Sequence, residues 1–284
     1  MHQSTVLPDL RVLPTRLLIP HEDYDPRRAE KLSRRILEEG TLKNPPIVTG
    51  IPPSILDSGC DRYVVLDGAN RTMAFAAAGI PHIVAQLVNY SDPGVILDTW
   101  YHVVSGLDLG LFEEGLTKTK SIQLQACSLD QARQAMEANE AMAYIVCEDG
   151  VRMVVSVSDE QIQTMQVLRD IVGLYHGRAD VFRASNDIWG IQKPFYPDIT
   201  ALVIFPRLRP EDILAAAENG VKVPSGITRH IIPARALNIN IPIGILMADW
   251  PEERKREWLH DWLMSRMGAN AIRFYAESTF SFNE

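Results

Sequence analysis

One stretch constrains the fold more than any other: Tyr63-Val64-Val65-Leu66 runs without a spacer into Asp67-Gly68-Ala69-Asn70-Arg71. An unbroken apolar run of this length reads as a buried strand. The alanine-rich stretch from Thr72 to Ala78, closed by Gly79, reads as a helix. A strand that turns directly into a helix needs partner strands beside it and a helical layer over it. The expected class is therefore α+β, with α/β-like alternation over the first hundred residues.

Neighbouring segments extend that pattern. Leu17-Leu18-Ile19-Pro20 is a short apolar run ending at proline, and Asp25-Pro26 reads as an N-cap with proline at the first helical position. From Arg27 to Glu39, Ala29, Leu32, Ile36 and Leu37 fall at helical spacing, and Gly40 stops the helix. Pro45-Pro46-Ile47-Val48 opens an extended segment, 52–61 reads as a loop, and Ile83 to Val88 as a further strand. Beyond these the pattern is sparser. Ser128 caps a helix to Asn139, and Asp149-Gly150 marks a hairpin between Ala143–Cys147 and Arg152–Val157. Helices are expected over 159–172 and 210–218, a strand over 199–205, and a charged amphipathic helix over 251–267. A boundary near residue 106 divides the chain into domains 1–105 and 106–284, the second ending in a helical extension.

Composition removes several classes of function. The 28 Lys and Arg against 36 Asp and Glu give a net charge of −8, which disfavours nucleic-acid binding by phosphate neutralisation. No apolar run is long enough for a membrane span, and the first residues lack a signal-peptide pattern, so a cytoplasmic protein is expected. Cys60, Cys127 and Cys147 are odd in number and widely spaced, which argues against a disulfide scaffold or a cysteine metal site. The histidines show no ligand spacing, so no structural metal is expected.

The Asp67–Arg71 turn is the sharpest chemical feature. A helix N-terminus presents unpaired N–H groups and partial positive charge, Gly68 lets a ligand approach the backbone, and Arg71 adds a guanidinium. The plainer alternative is a structural turn with Asp67 as the helix cap and Arg71 solvated. Context adds weight to the first. Pro20-His21-Glu22, the first helix, Asn44-Pro45-Pro46-Ile47-Val48 and Leu66-Asp67-Gly68-x-x-Arg71 together resemble the ParB/sulfiredoxin superfamily over residues 10–90.

Among its branches the chain is most similar to the free L-serine kinases. The likeness lies at Pro20-His21-Glu22, Asp67-Gly68…Arg71, Thr99-Trp100-Tyr101 and Thr228-Arg229-His230, in the same order. The kinases' turn is typically Asp-Gly-His-His-Arg, whereas Ala69 and Asn70 stand here. A sulfiredoxin would need a cysteine in that turn, and the chain has none there.

The resemblance implies roles residue by residue. Glu22 is the base that takes the serine hydroxyl proton, and Asp67 is an orienting carboxylate. Gly68, Ala69, Asn70 and Arg71 form the phosphate cradle. Trp100, Thr228, Arg229 and His230 bind the amino acid and phosphate. Mg²⁺ is expected with ATP or ADP, carried on the phosphates. Outside the resemblance, Glu22 reads as a solvated loop residue, Trp100 as a core aromatic and His230 as an ordinary histidine. Alternation along a strand puts Thr228 and His230 on one face and Arg229 on the other unless the strand bends. The 252–257 charge run reads as a solvated helix face, while Trp258, Trp262 and Met264 offer a surface for a partner or a second copy. The expected function is transfer of a nucleotide phosphate to free L-serine or a similar small amino acid. The alternative is a nucleotide-sensing or DNA-binding regulator without catalysis.

Overall fold

The computed structural model describes residues 7–51, 62–120, 122–156 and 162–275. The chain forms two compact units: Met1–Pro20, Tyr24–Val95 and Ile232–Glu284 make one, His21–Asp23 and Ile96–Ile231 the other. Its architecture is mixed α+β. Among the described residues, no helix is long and apolar enough to cross a membrane.

The first unit opens with β1 (Asp9–Pro14), a 3-10 turn, β2 (Leu18–Pro20), α1 (Pro26–Glu39) and β3 (Thr41–Leu42). It continues through β4 (Ile47–Gly50), β5 (Tyr63–Asp67), α2 (Ala69–Ala77) and β6 (His82–Leu87). Five of these strands form one mixed sheet in the order β1-β6-β4-β5-β2. Because β5 lies inside it, parallel to β2 and antiparallel to β4, Val64, Val65 and Leu66 are all buried. α1 begins where Asp25 accepts hydrogen bonds from the N–H groups of Arg27 and Arg28. It ends at Gly40 in the left-handed conformation, φ 65°. Its buried stripe is Ala29, Ser33 and Ile36. At about 100° per residue Leu37 falls on the margin of that stripe and is exposed.

The second unit contains β7 (Ile96–Thr99), β8 (Tyr101–Ser105), α3 (Leu109–Lys118), β9 (Ile122–Cys127) and α4 (Leu129–Glu137). It goes on with β10 (Ala143–Cys147), β11 (Gly150–Ser156), α5 (Ile162–Gly173) and β12 (Asp180–Ala184). α6 (Trp189–Gln192), β13 (Ile199–Ile204), α7 (Pro210–Glu218) and β14 (Thr228–Ile231) complete it. Six strands form an antiparallel sheet ordered β12-β8-β13-β10-β11-β9. In the hairpin, Cys147 pairs with Gly150, so Glu148 and Asp149 form the loop and Gly150 opens the strand. A separate ladder joins β14 to β7, with Thr228 opposite Thr99 and His230 opposite Leu97. Cys127 and Cys147 are free thiols, and Cys60 lies outside the described residues.

The chain then returns to the first unit as β15 (Ile241–Pro242), α8 (Ile243–Met247) and α9 (Glu252–Gly268). Sequence placed a boundary near residue 106. The division into compact units differs, because Ile239, Ile241, Ile243, Leu246 and Leu259 bury with Val12, Phe75 and Ile83 in one core. Trp258 and Trp262 pack against that core instead of forming a free face, while Met264 is exposed. Nor is the charged run solvated throughout. Lys255 is buried, donates to the Leu246 carbonyl at 2.8 Å and lies 3.0 Å from His82 Nδ1.

A buried glutamine pins part of this returning segment. Gln86 Nε2 donates to the Ala234 carbonyl at 3.1 Å, and its Oε1 accepts from the Ala236 N–H at 2.9 Å. Between them Ala234 holds φ 50°, a left-handed conformation costly for alanine. Gln86→Leu keeps the volume but orphans both backbone groups, at about 1–3 kcal/mol each where they stay buried. A melting temperature lowered by several degrees is expected, and an unchanged one would show that the clamp contributes nothing.

Candidate functional site

In the first unit the site is built on the junction of β5 and α2. Gly68 holds the N-cap position with φ 94°, and no side chain caps the helix. Asp67 therefore does not cap, contrary to the plainer reading of the turn. Its carboxylate instead forms an ion pair with Arg235, carried on the loop that Gln86 holds. An added Cβ at Gly68 would lie 3.1 Å from Pro46 Cα and Cβ and 3.2 Å from Arg71 Nη1. A side chain there would be strained at this φ and would press on Pro46, which favours glycine. An uncapped helix start beside a glycine, flanked by two guanidinium groups, suits an anion such as a phosphate.

The side chains of the turn differ in what they offer. Ala69 is buried, so it contributes backbone only. Asn70 Oδ1 accepts from the Asp25 N–H at 3.1 Å, which ties the start of α2 to the start of α1. Arg71 Nη1 donates to the Pro45 carbonyl at 3.0 Å, which orients a guanidinium that has further donors. Among the described residues, no group of three or more His, Cys, Asp or Glu side chains is placed to hold a metal ion. A Mg²⁺ ion that keeps its waters and rides on nucleotide phosphates needs no such cage.

In the second unit, Glu22 sits in a parallel bridge with Val223, where the Asp23 N–H donates to the Val223 carbonyl at 2.8 Å. Glu22 Oε2 accepts from the Gly226 N–H at 3.2 Å. Next to it, the buried His21 lies with Nε2 2.8 Å from Thr228 Oγ1 and its ring edge-on to His230 at 5.1 Å. Thr228 and His230 thus share a face, as strand alternation requires. Arg229 turns to the other face and stacks 4.2 Å from the Trp100 ring, with Asp98 at 3.8 Å. Trp100 and Thr228 are neighbours, since the Trp100 N–H donates to the Ile227 carbonyl at 2.7 Å. The strand does not bend to aim all three polar residues one way.

With this geometry in place, comparison with known proteins is informative. No protein-family model matches the chain. It is 25% identical over 249 residues to a Staphylococcus aureus protein named ATP-dependent L-serine kinase SbnI, covering 88% of each chain. It is 28% identical over 255 residues to an ATP-dependent L-serine kinase of Staphylothermus marinus, covering 86% of this chain and 95% of that one. Among solved structures it resembles the C-terminally truncated SbnI from Staphylococcus aureus, with TM-score 0.72, 23% identity, and 91% and 97% of the two chains covered. It also resembles a free serine kinase solved with AMP, with TM-score 0.67, 19% identity, and 85% and 95% covered. These structures share the fold.

Two residues with central places here escaped the sequence reading. Arg235 follows the Thr228-Arg229-His230 motif by five positions, but only the folded loop brings it to Asp67. His21 stood inside a recognised tripeptide, yet its contacts to Thr228 and His230 span more than two hundred residues.

Proposed function

We propose that this chain is a phosphotransferase that moves the terminal phosphoryl group of a nucleotide, ATP in the first instance, to the hydroxyl of free L-serine. The observation that carries the reading is the likeness, over most of the chain, to proteins named ATP-dependent L-serine kinases. The first unit is read as a ParB/sulfiredoxin-like nucleotide domain. Its Asp67–Arg71 turn holds phosphate oxygens through backbone N–H groups and Arg71, and Arg235 supplies a second guanidinium. Asp67 orients its neighbours. Mg²⁺ on the phosphates supplies charge neutralisation.

Glu22 accepts the hydroxyl proton, and the Gly226 N–H keeps its carboxylate in one orientation. Thr228 and His230 present a hydroxyl and an imidazole to the amino acid on the face that His21 organises, while Arg229, on the other face of the strand, is held by the Trp100 ring and Asp98. The bond from the terminal phosphorus to the bridging oxygen breaks, a bond from the serine Oγ forms, and the proton passes to Glu22. The products are O-phosphoserine and the nucleotide one phosphate shorter.

The backbone cradle does not need imidazoles at positions 69 and 70, so nucleotide binding survives their replacement. Arg71→Ala and Asp67→Ala are each expected to weaken nucleotide binding, Arg71→Ala by about 1.5–3 kcal/mol if its phosphate bond is direct. Calorimetry that found wild-type affinity in both would remove the cradle assignment. The function itself is tested by mass spectrometry of a mixture of the twenty amino acids with MgATP or MgADP. A mass gain of one phosphoryl group on serine supports the reading, and no phosphorylated amino acid in either mixture refutes it.

A further inference from the structure

His102 is buried in β8, carries none of the roles assigned above, and hydrogen-bonds the backbone of Gly226. Its Nε2 lies 3.1 Å from the Gly226 carbonyl oxygen, and its Nδ1 lies 2.8 Å from the hydroxyl of Tyr175, which is fully buried. A carbonyl only accepts, so Nε2 carries the proton and Nδ1 accepts from the phenol. Phe205 packs edge-on at 4.9 Å and fixes the ring plane. Burial holds the imidazole neutral, with its pKa pushed down to about 4.

Gly226 is the pivot. It adopts φ 85°, and an added Cβ would lie 3.2 Å from His102 Nε2 and 3.4 Å from Arg183 Nε and Nη2. Val223 is bonded to the 21–23 segment and Ile227 to Trp100, so residues 224–226 form a short bridge whose glycine carbonyl His102 anchors. The same glycine's N–H is the donor to Glu22. We infer that His102, braced by Tyr175, is a positioning residue that holds the Gly226 backbone so that its N–H fixes the Glu22 carboxylate. This rests on Glu22 being the proton acceptor.

The test is a mutant cycle on the full chain, read as kcat, KM for serine and nucleotide Kd. His102→Leu removes both bonds. It is expected to lower kcat about 10- to 100-fold with nucleotide affinity unchanged, since small displacements of a reacting group are costly. His102→Gln keeps a donor near the Nε2 position and is expected to recover most of that loss. Tyr175→Phe, the milder change should His102→Leu fail to fold, is expected to lower kcat less. In a Glu22→Gln background neither His102→Leu nor Tyr175→Phe should lower the rate further, because the group they position is already gone. Multiplying losses in that background, or wild-type kcat in folded single variants, would overturn the positioning role while leaving the base in place. Wild-type turnover by Glu22→Gln alone would overturn the base and this role with it.

Discussion

Glu22→Gln is expected to slow serine phosphorylation by about 10²–10⁴ while nucleotide affinity stays at its wild-type value. Glutamine keeps the length of the side chain, and its amide oxygen can still accept from the Gly226 N–H. Only the capacity to take a proton is lost. A base acts in the transition state and adds little to ground-state binding, so the loss should fall on kcat and spare nucleotide Kd. Steady-state kinetics beside calorimetry separates the two. A variant that turned serine over at the wild-type rate would place the base elsewhere. A variant that lost nucleotide binding in proportion to rate would make Glu22 a structural residue.

The second large effect is on stability in acid. His102 has its pKa pushed down to about 4, first by burial and then by the nearby charges of Arg183 and His176, against the favourable Gly226 carbonyl. In the unfolded chain a histidine titrates near ~6.5. Between these values the unfolded state binds a proton that the folded state refuses, so stability rises with pH across this window. The contribution is complete above pH ~6.5, declines as pH falls, and is gone below pH ~4. Across the window from ~6.5 to ~4 the refused proton is worth roughly 3 kcal/mol of stability. Asp187 adds a loss of its own in acid, because Arg133 and Tyr144 hold its carboxyl below the usual range. Urea melts of wild type and His102→Gln at neutral pH and at pH ~4.5 isolate the histidine. The stability difference between the two pH values should shrink in the variant, and an equal difference would show that His102 is not the titrating group.

Much of the first unit could be read from the chain because its signals are local. Asp25-Pro26 and Gly40 delimit α1 through cap geometry that needs no distant partner. The Val64–Leu66 run and Gly68 mark β5 and its turn. The hairpin marked by Asp149-Gly150 and the helix after Ser128 are visible for the same reason, the latter through a capping box with Gln131, although the hairpin loop itself is Glu148-Asp149. Other features depend on partners far along the chain. Within Thr99-Trp100-Tyr101 only Trp100 separates β7 from β8, which pair in different sheets, so the break has no local pattern. The segment from residue 232 onward carries ordinary apolar residues, and nothing local says that they bury beside β1 and β6. Asp67 looked like a cap because aspartate favours caps, but Gly68 occupies that position and leaves the carboxylate to Arg235. His102, flanked by Tyr101 and Val103, reads as one polar residue in a strand; Tyr175 and Gly226 give it its place.

The most direct test of the central claim follows the phosphoryl group itself. ATP labelled with ¹⁸O in its terminal phosphate is incubated with the protein, Mg²⁺ and L-serine, and the products are weighed by mass spectrometry. Transfer to the hydroxyl predicts O-phosphoserine that carries the labelled phosphoryl oxygens, with ADP formed only when serine is present. Label that appeared in inorganic phosphate at the same rate with and without serine, and never in an amino acid, would contradict it.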